Sequence, residues 1–269
     1  MPESRARTAA RTVAGPAVRR MRRELQWRRC PTELDLATAP PDDFPHTVAH
    51  HATPLFRRLA GVEDQLQVNK VVNLRLAVAR LDGVVLQPEQ RLSFWYRVRR
   101  PTRRRGFQEG LVLRQGRLDK GVGGGLCQLT NLIHWMTLYT PLTVVERWRH
   151  SYDMFPDIGR TQPFGTGATC AWPVLDLQIE NRTTVAFRLA LRVTETELQG
   201  EWTAQVPIAT SYEVYEAHHA MTNDAPGVFT RHNVIRRRVF DGEHVQVDDE
   251  LVTVNQARMR YQPFLESGR

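Results

Sequence analysis

The sequence predicts an α+β fold: a central helix beginning at about Leu126, packed on a mostly antiparallel sheet, with a β-rich C-terminal part. Three observations predict it. Leu126 to Tyr139 contains neither Gly nor Pro and carries two adjacent apolar stripes, Leu126, Leu129, Ile133, Met136 and Leu132, Trp135, Tyr139. A helix apolar over most of its circumference is a buried one. Past residue 140 the chain changes to short alternating runs rich in Val, Thr and aromatic residues and punctuated by Gly and Asp, the pattern of strands and turns. Directly ahead of the helix stands Gly121-Val122-Gly123-Gly124-Gly125, where the absence of side chains lets a ligand or another segment approach the backbone.

Taken in order, residues 1–45 read as a basic, Pro-containing flexible arm and linker with a short helix around Ala17 to Trp27. Residues 46–205 form the core domain and 206–269 its β-rich extension. Leu66, Val71, Leu74, Val78 and Leu81 follow helical spacing, and Asp82-Gly83 ends that helix. Val84 to Leu86 and Leu92 to Tyr96 are strand candidates. Leu111 to Arg114 and Arg117 to Asp119 read as a hairpin that delivers the chain into the glycine run. After the central helix, Thr140-Pro141 stops it and Leu142 to His150 alternates as a strand. A helix of 14 residues climbs about 21 Å and eight strand residues return about 26 Å, which brings His150 back to the level of Cys127. Val174 to Glu180, Thr184 to Val193, a hairpin turning at Gln199-Gly200, and Tyr212 to Tyr215, Arg231 to Phe240 and Val245 to Val254 complete the expected strands.

The net charge of +8 belongs mostly to the arm: residues 1–29 hold nine arginines against Glu3 and Glu24, so the rest of the chain is close to neutral. The arm is therefore suited to weak contact with nucleic acid or an anionic membrane surface, or is a solvated extension. No specific nucleic-acid partner is expected. With 41% hydrophobic residues, no apolar run of transmembrane length and no secretory h-region, a cytoplasmic globular protein is expected. Three cysteines without CxxC spacing predict neither a disulfide framework nor a zinc module, and no metal or cofactor is expected.

On the helix, Cys127, Thr130, Asn131 and His134 form a narrow polar strip that must find partners or line a cleft. Cys127 falls in the first turn, where unpaired N–H groups favour a thiolate or a bound anion. It is the candidate nucleophile, with His150 as base and Asp153 or Asp157 as orienter. Gln128 or the backbone N–H groups at the helix start are candidate oxyanion donors. A small buried cysteine with no chemistry fits the same crowded position. His134 reads as a hydrogen-bonded core histidine and Cys170 as structural. Arg97, Arg99, Arg100, Arg103, Arg104 and Arg105 crowd into nine residues around Pro101-Thr102. Arg100 and Arg103 to Arg105, together with Gly123, Gly124, Gly125 and Asn131, are the candidate residues for holding an anionic small-molecule substrate.

Gly121 to Gln128, with Pro101-Thr102-Arg103-Arg104-Arg105-Gly106 and Glu109-Gly110 upstream and Glu146-Arg147, His150-Ser151-Tyr152-Asp153 and Phe155-Pro156-Asp157 downstream, resembles the VanW family. Gly159 to Cys170 extends the resemblance, which covers most of residues 50–265 and leaves out the arm. It implies a cell-wall or glycopeptide-resistance context and matches Cys127, Gln128 and His150 to motif positions, but names no reaction. Two functions stay open. One is thiol-dependent acyl transfer or amide hydrolysis on a cell-wall-related or other amide-bearing anionic substrate. The other is non-catalytic binding or scaffolding of an anionic cell-wall precursor.

Overall fold

A computed structural model of the chain describes residues 3–56, 63–114, 117–149, 152–153 and 162–261. In chain order the elements are α1 (Glu3–Arg29), α2 (Pro31–Leu34), β1 (His46–Pro54), α3 (Asp64–Leu81), β2 (Val84–Leu86), β3 (Arg91–Ser93), α4 (Phe94–Val98), β4 (Glu109–Arg114), β5 (Arg117–Val122), α5 (Cys127–Thr137), β6 (Thr143–Glu146), β7 (Tyr152–Asp153), β8 (Gln178–Glu180), β9 (Phe187–Val193), β10 (Glu197–Ala204), β11 (Ser211–Ala225), β12 (Val228–Phe240) and β13 (Gln246–Met259). The fold is α+β, and every strand pairing except β13 with β7 is antiparallel.

The central layer is the sheet β1-β10-β9-β2. α5 lies on β1 and β10, and α3 lies against β9. Leu129, Leu132, Ile133 and Met136 of α5 are buried with Leu198 and Trp202 of β10, and the Trp202 indole donates to the Thr137 hydroxyl at 3.1 Å. α3 ends as its sequence predicts: Asp82 leaves the helix and Gly83 takes φ +77°, which only glycine adopts without strain.

Three local expectations differ from the structure, each for a visible reason. Gln199-Gly200 is no turn; β10 runs straight through it, because Thr194 turns the chain instead, its hydroxyl receiving the N–H groups of Thr196 and Glu197. The expected strand Leu92 to Tyr96 stops at Ser93, whose hydroxyl accepts the Tyr96 N–H at 3.1 Å and starts the short helix α4. β6 is four residues long, ending at Glu146, so the strand that was to carry His150 back toward Cys127 is not continuous. His150 lies outside the described residues.

Where the sequence reads as an arm, the structure places a helix docked on the core. Trp27 is 3% exposed, packs between Tyr96 and Trp172, and donates its indole N–H to Ser93. One turn back, Arg23 forks onto Glu146 at 2.6 and 2.7 Å and also donates to the carbonyls of Pro173 and Val174. The short helix around Ala17 to Trp27 was legible; its anchoring was not.

β11, β12 and β13 form a long three-stranded ribbon joined to the core through β7. No described helix is long and apolar enough to cross a membrane.

Candidate functional site

The glycine run is packed by the chain itself. A Cβ on Gly124 would stand 2.1 Å from the carbonyl carbon of Gly110 in β4, one on Gly123 2.6 Å from the Pro101 ring, and one on Gly125 2.2 Å from the Lys70 side chain. The close approach that three glycines permit is made by β4, the arginine loop and α3. Asn73 of α3, fully buried, fixes the arrangement: its amide donates to the Gly124 and Gln108 carbonyls at 2.9 and 3.1 Å and accepts the Gln108 N–H. Gly123, Gly124 and Gly125 therefore shape the entry to α5 by their backbone, with the space beside each taken up by β4, Pro101 and Lys70.

The polar strip of α5 finds its partners in one segment, Thr166 to Cys170. The Thr130 hydroxyl donates to the Ala168 carbonyl at 2.6 Å, the Asn131 amide oxygen accepts the Ala168 N–H at 2.6 Å, and His134 Nδ1 donates to the Thr166 carbonyl at 2.8 Å. The spacing 127, 130, 131, 134 is one helix face, so a strap of irregular chain laid along it meets every member. Arg147 secures the same strap, donating to the carbonyls of Gly165 and, at 2.7 and 2.9 Å, Gly167. Burial first, and then the neighbouring Arg147 cation, lower the His134 pKa to about 3, so the ring is neutral. Seven residues along the helix from Cys127, about 10 Å, it is a core histidine, as the sequence reading holds.

Cys127 meets the end of this strap. Its sulfur lies 3.8 Å from the Cys170 sulfur, the Cys170 N–H points at it at 3.5 Å, and the Cys127 thiol reaches the Cys170 carbonyl at 3.7 Å. Both residues are half-buried, and none of the three cysteines is in a disulfide. Burial raises the Cys170 thiol well above its ordinary pKa, and the adjacent Cys127 adds to that. Two sulfurs in contact, one at a helix start and one held protonated, can do thiol chemistry of unequal character.

The remaining candidates are distributed as follows. The Gln128 amide nitrogen donates to the Thr53 hydroxyl and the Pro54 carbonyl, both at 2.9 Å, tying α5 to the end of β1. Asn131 is likewise committed to Ala168. Of the backbone N–H groups at the helix start, those of Gln128, Leu129 and Thr130 are donated to the Gly125 and Leu126 carbonyls at 3.0 to 3.3 Å. Asp153 is 2% exposed and is held by Arg231 at 3.3 Å and the Tyr261 hydroxyl at 2.9 Å, which joins β7 to the ribbon. His150 and Asp157 lie outside the described residues.

Arg100, Arg103 and Arg104 are exposed. Arg103 pairs with Glu109 at 2.6 Å, while Arg105 donates to the Arg100 carbonyl and stacks on Phe107. Because Pro101 sits on Gly123, this cationic loop abuts the glycine run. Among the described residues no cluster of three or more His, Cys, Asp or Glu side chains is arranged to hold a metal.

A model of the family described as VanW like protein matches residues 69–203, half of the chain. The chain belongs to the VanW-like family. It is 28% identical over 224 residues to vancomycin B-type resistance protein VanW of Enterococcus faecalis, covering 83% of this chain and 81% of that protein. It is 29% identical over 135 residues to the uncharacterized protein YoaR of Bacillus subtilis, covering 50% of this chain and 43% of that one, so it spans less than half of YoaR. No solved structure matches.

Within the VanW-like segment lie Asn73, the glycine run, α5, the strap and β10, while α1 and the β11–β13 ribbon fall outside it. Sequence reasoning undervalued three of its residues. Cys170 reads as structural because nothing local marks it; the strap that delivers it beside Cys127 is visible only as Gly165-Thr166-Gly167, small residues able to lie flat on a helix. Asn73 carried a signal, a polar residue on the buried face of α3. Asp176 did not: it is fully buried at the end of a chain of polar groups, accepting from Ser93 and the Trp95 N–H at 2.6 and 2.9 Å, close to the Arg23–Glu146 pair.

Proposed function

We propose that this VanW-like chain is a thiol catalyst of acyl transfer or amide hydrolysis, acting on an anionic, amide-bearing substrate of the cell-wall type. The observation that carries the reading is the position of Cys127: only partly buried, first residue of α5, with a backbone N–H directed at its sulfur and a cationic loop whose Pro101 sits on Gly123. Such a sulfur attacks an amide carbonyl, the amine leaves with a proton from the base, and water or an acceptor amine then cleaves the thioester. His150 serves as base and Asp157 or Asp153 as its orienter. Backbone N–H groups ahead of Gln128 at the helix start stabilise the oxyanion, and Arg100 and Arg103 to Arg105 hold the substrate's anionic group. The cell-wall setting rests on the resemblance to the VanW family, and the relative's name supplies only vancomycin resistance.

The test uses an activated acyl ester as probe. Wild-type protein is expected to carry the acyl group as a thioester on Cys127 and to be alkylated there by iodoacetamide faster than at Cys30. Cys127→Ser should fold and take no acyl group. Equal alkylation of Cys127 and Cys30, with no acyl adduct, sinks the catalytic reading.

A second reading, an anion-binding protein without a covalent step, is favoured by the exposure of Arg100 and Arg104 beside a glycine run whose side-chain space is filled. It expects Arg103→Glu with Arg104→Glu to abolish retention of a muropeptide carboxylate while Cys127→Ser leaves retention intact.

A further inference from the structure

We propose that Cys127 and Cys170 are an oxidisable pair, in which a peroxide oxidises Cys127 and Cys170 resolves the product into an intramolecular disulfide. The inference does not depend on the acyl chemistry above. It rests on placement: two residues 43 apart in sequence bring their sulfurs to 3.8 Å, in contact without a bond, because Thr130, Asn131 and His134 clamp the strap that carries Cys170 along α5. A disulfide bond is about 2.05 Å long, so closure requires the sulfurs to approach by under two ångströms.

The two sulfurs are unequal, which assigns their roles. Cys127, at the start of α5 and facing the Cys170 N–H, is the sulfur that can hold a negative charge and attack. Cys170 keeps its proton. The Cys127 thiolate attacks the peroxide O–O bond, forming a sulfenic acid and releasing the other oxygen as an alcohol or water. The Cys170 sulfur then attacks the Cys127 sulfur; the S–O bond breaks, the leaving hydroxide takes the Cys170 proton and departs as water. A dithiol reverses the bond by exchange. The outcome is that Cys127 is covered but preserved: it avoids passing on to sulfinic acid, from which thiols do not recover it.

The experiment treats the full chain, folded, with successive small additions of hydrogen peroxide. Samples are then alkylated and digested without reductant for mass spectrometry. Expected is a peptide cross-linking Cys127 to Cys170, a fall in titratable thiols from three to one with Cys30 still alkylated, and full recovery with dithiothreitol. In Cys170→Ala the same dose should drive Cys127 to sulfinic acid, unrecovered by dithiothreitol. Should that variant not fold, diamide on wild type must give the same cross-link. The proposal is overturned if Cys127 over-oxidises in wild type as readily as in the variant, if the cross-link involves Cys30 or a second molecule, or if three thiols persist.

Discussion

At the scale of single residues, the buried ionisable groups set opposing pH dependences. Asp176 is pushed from 3.8 to about 6, by burial above all and with Glu146 adding to it, against the bonds from Ser93 and the Trp95 N–H. Its folded form binds the proton more tightly than the unfolded chain, so its contribution is full below about pH 4 and is lost as pH rises through 6. His134 runs the other way: with a pKa lowered from 6.5 to about 3, it costs stability as pH falls below 6.5. The two partly cancel between them. Asp176→Asn should remove the falling component, on the order of 3 kcal/mol, leaving urea midpoints that climb more steeply from pH 4 to 6.5 than in wild type. Parallel curves would show that Asp176 ionises without cost. Asn131→Ala tests the strap at the same scale: the Ala168 N–H loses its acceptor, and a loss of about 1–3 kcal/mol is expected in urea denaturation.

Among the elements, two glycines give contrasting expectations. A methyl on Gly124 meets the backbone of Gly110, which cannot yield without parting β4 from the start of α5, so Gly124→Ala should cost several kcal/mol, about 3 or more. On Gly200 the methyl meets Met136 Cε at 2.6 Å, the far end of a flexible side chain, and Gly200→Ala should cost nearer 1 kcal/mol. Denaturation of the two variants side by side decides the ranking. These positions also mark where sequence reading stops. α3, β2, the β4–β5 hairpin and α5 were legible because period, glycine stops and turn residues are local signals. Gly200 misled, since a glycine that admits a helix onto a sheet looks the same in sequence as one that turns a hairpin. The polar strip of α5 was legible as a demand for partners; which segment answers it, 32 to 43 residues later, was not.

Over the whole molecule, the basic N-terminal region is partly structural. Arg23, 8% exposed, is spent on Glu146 and two carbonyls, and Trp27 closes the aromatic group around Trp172. Arg23→Ala leaves Glu146 facing Asp176 without its counter-charge and should destabilise by about 3–5 kcal/mol, measurable as a fall in melting temperature together with earlier protease cleavage before residue 30. Arg20, more than half exposed, should tolerate the same change within about 0.5 kcal/mol. From composition all nine arginines of this region look alike. What separates them is a groove formed by Pro173, Val174 and Glu146, residues more than 120 positions away.

The dressing of α5 carries a consequence for how the chain is made. During synthesis from the N-terminus, the helix leaves the ribosome with its polar face waiting for Ala168, 38 residues on from Thr130, and its apolar face waiting for β10. β10 in turn pairs with β1, where Thr47 and Glu201 are 154 residues apart. Contacts of such span are slow to form, and the apolar face of α5 is not covered by β10 until residue 204 has been made. A nascent chain thus carries an apolar helix, with Cys127 at its start, uncovered while residues 138–204 are being made.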